Sequence, residues 1–210
     1  RSCSSAASDV YKRQLFICSI RPICKPVESS APKWRGTLSN VTPISQMLAE
    51  EKIRHRICSP SSLAMAVSKI KGLTDIEANT VWKKLITLCY DLNINAYGSW
   101  PKAIYAASTF GVLGGIEAHA DLESAEKCLE LGQPVVCSID YAKGKLRGAP
   151  LASTKGHLVT LIGIEDEQVL VMDPAAPEKS SIAREYDRKE FEDAWLRNRG
   201  AGYYFCVTSE

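Results

Sequence analysis

The 210-residue chain contains no apolar run approaching the ~18 residues that a membrane-crossing helix requires. It contains no internal repeat, no C-x-x-C and no Cys/His cluster with zinc-ligand spacing. These absences argue against a membrane span in this sequence, a solenoid, a dithiol redox motif and a structural zinc site. An excess of charge of one sign is lacking as well. Lys and Arg total 26 against 24 Asp and Glu, for a net charge of +2. The basic residues are scattered, with no stripe interleaved with aromatics, so no nucleic-acid partner is expected. What remains is 45% hydrophobic and 24% charged, the composition of a globular protein with enough chain for one ordinary core.

Cysteine, by contrast, is plentiful: Cys3, Cys18, Cys24, Cys58, Cys89, Cys128, Cys137 and Cys206. Cys89, Cys128, Cys137 and Cys206 fall in apolar stretches and are expected to be buried free thiols acting as small hydrophobes. Spacing does not fix any disulfide pairing. The opening "RSCSSAASDVYKRQ", residues 1–14, resembles a translated cloning or sequencing adapter and is expected to carry no fold information. Residues 15–40 read as a linker or the remnant of an upstream region, rich in Pro, Ser and charge from residue 20 onward. The ordered domain is expected over 41–210.

Within that domain a helix is predicted after Cys58, with Ser59 as cap, Pro60 at the first helical position and Gly72 at the stop. Leu63, Val67 and Ile70 give it an apolar face. Further helices are expected from about Ile76 to Tyr90, from Pro101, from Asp121 to Gly132 and over Arg188–Trp195. The words "PVVCSI", "HLVTLIGI", "QVLVMD" and "GYYFCVT" have strand character. Glu165–Glu167 is a short polar link that makes the second and third of these a hairpin. Helices first and antiparallel strands after them indicate an α+β fold.

The hairpin brings chemistry together. A turn near Asp166 sets His157 and Asp173 within one or two places of being opposite, and facing side chains on paired strands are ~5 Å apart. A carboxylate there can hold one imidazole nitrogen and leave the other free to take a proton. Cys58 sits at a helix start, where the unpaired N–H groups and positive end of the dipole favour a thiolate and can serve a developing oxyanion. Gln46, twelve positions upstream, offers a side-chain amide for the same purpose. No metal or organic cofactor is needed for this chemistry. His55 and His119 have no strand partner and read as structural or exposed. Trp100 suits a cleft wall or the core equally.

The order Gln46, Cys58, His157, Asp173 is that of the papain-like cysteine peptidases. The words "SQM…CSPSSLAM", "GSWPKAIYAASTFG", "LELGQPVVCSI", "STKGHLVTLIGI", "VLVMDPAAP" and "REYDRKEFEDAW" together resemble the bacterial family related to the bacteriocin-processing, double-glycine leader peptidases, and most of all its stand-alone, transporter-free branch. The resemblance covers about Val41–Thr208. It implies a papain-like fold, with the nucleophile on a helical half and the His and Asp on a sheet half. It also implies a peptide or protein substrate, with Cys58 as nucleophile, His157 as general base and acid, Asp173 as orienting acid and Gln46 as oxyanion-hole amide. Gly98-Ser99-Trp100 departs from the Gly-Asn-Trp more usual in that branch. Stand-alone relatives are commonly exported. An acyltransferase or deamidase on the same triad, and a pseudoenzyme that binds peptides, are the alternative readings.

Overall fold

The computed structural model describes residues 36–118 and 120–206. The adapter-like segment, most of the expected linker, Cys3, Cys18, Cys24, His119 and the last two residues of "GYYFCVT" lie outside the described residues. The described residues form five α-helices: α1 (Cys58–Lys71), α2 (Asp75–Cys89), α3 (Trp100–Ser108), α4 (Leu122–Glu130) and α5 (Arg188–Arg197). Seven strands accompany them: β1 (Gly36–Thr37), β2 (Leu113–Glu117), β3 (Val135–Tyr141), β4 (Thr154–Ile164), β5 (Gln168–Met172), β6 (Ala183–Asp187) and β7 (Gly202–Cys206). They form one antiparallel sheet in the order β2-β7-β3-β4-β5-β6, with β1 paired to β4. The architecture is α+β and papain-like.

Strand alternation divides the core into two layers. Val136, Leu158, Ile162, Met172, Tyr203 and Phe205 pack with α1, α2 and α3. Val135, Cys137, Ile139, Val159, Leu161 and Val171 pack with α4 and α5 on the other face. The sheet is therefore covered on both sides, which is why β3 and β4 are almost continuously apolar.

Helix α1 departs from its sequence reading in two ways. It begins at Cys58, with Ile57 at the cap position and no capping side chain. Ser59 is consequently its second residue and Pro60 its third. Proline is tolerated there because the first-turn N–H groups have no intrahelical acceptor in any case. The helix is also buried all round, from Ser59 to Ser68, rather than on one face. Its serines make this possible by satisfying neighbours. Ser59 Oγ hydrogen-bonds Tyr203 OH at 2.8 Å, Ser62 Oγ donates to Leu158 O at 2.8 Å, and Ser61 Oγ accepts from Trp82 Nε1 at 2.9 Å. Each such bond is worth about 1 kcal/mol net, and an orphaned partner would cost more.

The polar strands were not legible. β6, "AREYD", buries only Tyr186, and β2, "LGGIE", is glycine-rich. Both lie at sheet edges, where charge and short length are normal. β1 falls in the stretch read as linker: Gly36 and Thr37 pair with Ile164 and Gly163.

Beyond α5 the chain turns through Gly200 at φ +57°, where an added Cβ would sit inside van der Waals contact of the Ala120 backbone. Gly200→Ala is expected to cost about 2–4 kcal/mol, from left-handed strain plus overpacking. Urea denaturation measures it, and a loss below ~0.5 kcal/mol would show that the α5–β7 turn yields easily.

Candidate active site

Three segments far apart in sequence meet at one end of β4. Cys58 is supplied by the uncapped start of α1, His157 by the early part of β4, and Asp173 by the residue just past β5. α1 is docked along β4 by Ser62 Oγ to Leu158 O and by Thr160 Oγ1 to Ser62 O at 2.9 Å, which sets Cys58 beside His157.

The side chains form a connected chain of hydrogen bonds. His157 Nε2 lies 2.8 Å from Asp173 Oδ1. The carboxylate cannot donate, so Nε2 carries the hydrogen and Nδ1 is the nitrogen left for Cys58, to which His157 is also hydrogen-bonded. Asp173 is fully buried, His157 nearly so, and Cys58 half-buried at the surface of the group. Asp173 Oδ1 accepts a second bond from Ala175 N–H at 2.9 Å, and Oδ2 accepts one from Tyr186 OH at 2.8 Å.

Electrostatics follow from this. Burial alone would push the Cys58 thiol up, but the hydrogen bond and charge of His157, with the Leu158 and Ser59 N–H groups, outweigh it and hold the thiol below its ordinary value. Burial would likewise push His157 down, but the adjacent Asp173 and Cys58 raise it to about 10. Burial opposes ionisation of Asp173, and the His157 charge together with the donors from His157, Ala175 and Tyr186 overcomes that and lowers it. Three other thiols behave oppositely. Burial raises Cys89 to about 12, Cys128 to about 11 and Cys137 well above the usual range. Cys89 and Cys137 are the buried hydrophobes expected of them. Cys128 is half-buried, and Cys206, the last residue of β7, is exposed rather than buried as expected. All five described cysteines are free.

Gln46 begins a single 3-10 turn, Gln46–Leu48, capped by Ser45. It is buried, and its Nε2 donates to Arg54 O at 2.7 Å, which leaves the second amide hydrogen unspent. Its Oε1 is buried without a partner, an exception of the kind found at functional sites. Gln46 is bound to the His–Asp group through backbone. Gln46 N–H donates to Pro174 O at 2.9 Å and Ser45 Oγ to Ala176 O at 2.5 Å. The turn that follows Asp173 therefore anchors both the carboxylate and the amide, a link the sequence does not hint at.

The charged interval 49–56 acquires a physical role. It is a run of turns whose Arg54 carbonyl holds the Gln46 amide, with Ile53 packed against the core. Arg56 reaches across to Asn95 and lies 5.7 Å above the Tyr97 ring. His55 is exposed. Ser99 is buried at the start of α3, and Trp100 is half-buried against the core shared with α1. Among the described residues, no group of three His, Cys, Asp and Glu side chains converges as a metal site would, and no helix is long and apolar enough to cross a membrane.

Comparison with known proteins gives a family and a fold. The Peptidase_C39 like family matches residues 38–203. Three solved structures share the fold. A protein described as a C39-like peptidase from Bacillus anthracis is 21% identical, with a TM-score of 0.61, covering 84% of this chain and 100% of that one. A double glycine motif protease from an AMS/PCAT transporter, solved with its leader peptide, is 18% identical, with a TM-score of 0.54, covering 84% and 98%. The peptidase domain of Streptococcus ComA, a bi-functional ABC transporter of a quorum-sensing pathway, is 16% identical, with a TM-score of 0.52, covering 80% and 100%. No curated protein matches.

Proposed function

The chain belongs to the Peptidase_C39 like family and is a papain-like cysteine peptidase, and from that premise we propose that Cys58, His157 and Asp173 are its catalytic triad and that Gln46 completes the oxyanion hole. The observation that carries the reading is the continuous Asp173–His157–Cys58 hydrogen-bonded chain, in which the thiol is held down while other buried thiols are pushed up.

The resting state is a Cys58 thiolate beside a His157 imidazolium, with Asp173 fixing the ring. The thiolate attacks the scissile carbonyl carbon. Negative charge moves to the carbonyl oxygen, where the second Gln46 amide hydrogen and the Cys58 backbone N–H receive it. His157 passes its proton to the leaving amine as the C–N bond breaks and the thioester remains. A water molecule, deprotonated by His157, then attacks the thioester; the acid product leaves and Cys58 is regenerated. The substrate is a peptide segment, by analogy with the leader peptide bound by the transporter protease.

The test is iodoacetamide alkylation of Cys58 as a function of pH, read by mass spectrometry of the Cys58 peptide. Cys58 is expected to gain its reactivity at lower pH than a free cysteine, which titrates at ~8.5. A second change is expected only as His157 gives up its proton, toward pH 10. Reactivity that follows the free-thiol curve would overturn the triad.

A further inference from the structure

Asp173 is held by more than its histidine. A carboxylate turns about a broad, roughly two-fold terminal torsion, so a single hydrogen bond does not fix its plane. Oδ1 is occupied by His157 Nε2 and the Ala175 N–H, both on the same oxygen. The other oxygen has one donor, Tyr186 OH, at 2.8 Å. From this arrangement we infer that Tyr186 is a positioning residue for catalysis: by holding Oδ2 it sets the plane of Asp173, and through Asp173 the orientation of the His157 ring against Cys58. The inference rests on the triad proposed above and adds a fourth side chain to it.

Tyr186 is suited to the task. It is fully buried on β6, where its register partner is Val169 on β5, the strand that delivers Asp173. Its ring stacks on Phe191 at 6.4 Å between centroids, and Phe191 packs against Trp195 at 6.3 Å, so the phenol stands on a column running into α5. Burial and the neighbouring Asp173 charge push its hydroxyl far above the usual range, so it remains a donor at every working pH.

The titratable groups around Asp173 come from each packed element: His157 on β4, Cys58 of α1 beyond it, Tyr141 on β3, and Tyr186 with Arg184 on β6. Tyr141 is the informative contrast. It lies close enough to feel the Asp173 charge, yet its hydroxyl donates to Leu151 O at 3.0 Å. Proximity without the bond should not orient the carboxylate.

The experiment uses Tyr186→Phe, which keeps the aromatic column and removes only the donor, with Tyr141→Phe as reference. The pH dependence of Cys58 alkylation by iodoacetamide is read in both, with no substrate required. In Tyr186→Phe the acid limb is expected to move to higher pH by about 0.5–1 unit, because the carboxylate loses a donor and the thiolate loses a well-aimed imidazolium. The alkylation rate at the wild-type midpoint should fall about 2- to 6-fold for a limb displaced by that amount. Tyr141→Phe should leave the limb in place. A wild-type limb in Tyr186→Phe, or an equal shift in Tyr141→Phe, overturns the role of Tyr186 while leaving the triad standing. If wild-type Cys58 itself follows the free-thiol curve, the triad falls and this inference with it.

Discussion

Cys58→Ala is expected to abolish peptide-bond hydrolysis, with a loss of at least ~10³-fold, while the protein stays folded. Cys58 is half-buried at the first position of α1, and the residues that carry the helix into the core begin at Ser59. Removing one sulfur atom there should change stability by no more than about 1–2 kcal/mol. The step it removes has no substitute, since Cys89 and Cys137 are buried and their protons are held more tightly than usual. His157→Ala should cost nearly as much, because the thiolate then loses the hydrogen bond and charge that outweigh its burial. The double variant should be no worse than either single one, since nucleophile and base act as a unit. The measurement is turnover of a peptide library with circular dichroism as the fold control. Activity surviving in Cys58→Ala would place the chemistry elsewhere.

Asp173→Ala should damage both rate and stability. Three donors converge on this carboxylate, and its removal orphans all of them: the His157 ring, the Ala175 N–H and the Tyr186 hydroxyl. Breaking a buried pair from one side typically costs about 3–5 kcal/mol, because the partner is left charged or must give up its proton. For a chain of this size that lowers Tm by roughly 6–20 °C.

The cost should depend on pH with a definite sign. Asp173 is depressed below its ordinary 3.8, so its contribution is present above that pH and fades as pH falls further. His157 is raised from 6.5 to about 10, so its contribution is complete below 6.5 and fades as pH climbs toward 10. The stability gap between wild type and Asp173→Ala is therefore expected to be widest between about pH 4 and 6.5 and to narrow on either side. Denaturant titrations across pH 3–10 measure it, and a gap independent of pH would mean that the pair is not ionised in the folded protein.

Several features on which these expectations rest were readable from residues alone. Helix α2 was legible because Ala78, Trp82, Leu85 and Cys89 repeat at helical spacing, and all four are buried. Helix α4 was legible because Asp121 caps it through Ser124. The hairpin of β4 and β5 showed in its two apolar runs and in the short polar link at Glu165–Glu167, so the nearness of His157 and Asp173 could be reckoned by counting.

That count carries an uncertainty which sequence cannot remove. Beside the turn, Ile164 pairs with Val169 and Gly163 with Leu170, but further on Leu161 pairs with Val171 and Thr160 with Met172. One extra residue, Ile162, is inserted in β4. Extending the register places Asp173 opposite Val159, on the same face of the sheet as His157. Without the bulge Asp173 would fall opposite Thr160 and on the face away from His157, because a one-residue slip inverts every side chain. The bulge is stabilised from outside the hairpin, by Leu38 N–H donating to Ile162 O at 2.7 Å and by β1 pairing with Gly163.

The sequence by itself determined the helices and the four apolar strands, because periodicity, caps and turn residues are local, and it placed a thiol at a helix start and an imidazole and a carboxylate near one end of a hairpin. Tertiary structure decided the rest: the face on which Asp173 lies, the tie from Gln46 and Ser45 to Pro174 and Ala176, and the Tyr186 hydroxyl on the second carboxylate oxygen. The reason is physical. Each of these joins strands or loops whose partners are far apart along the chain or are set by register, and hydrogen bonds of that kind leave no periodic trace in the residues that make them.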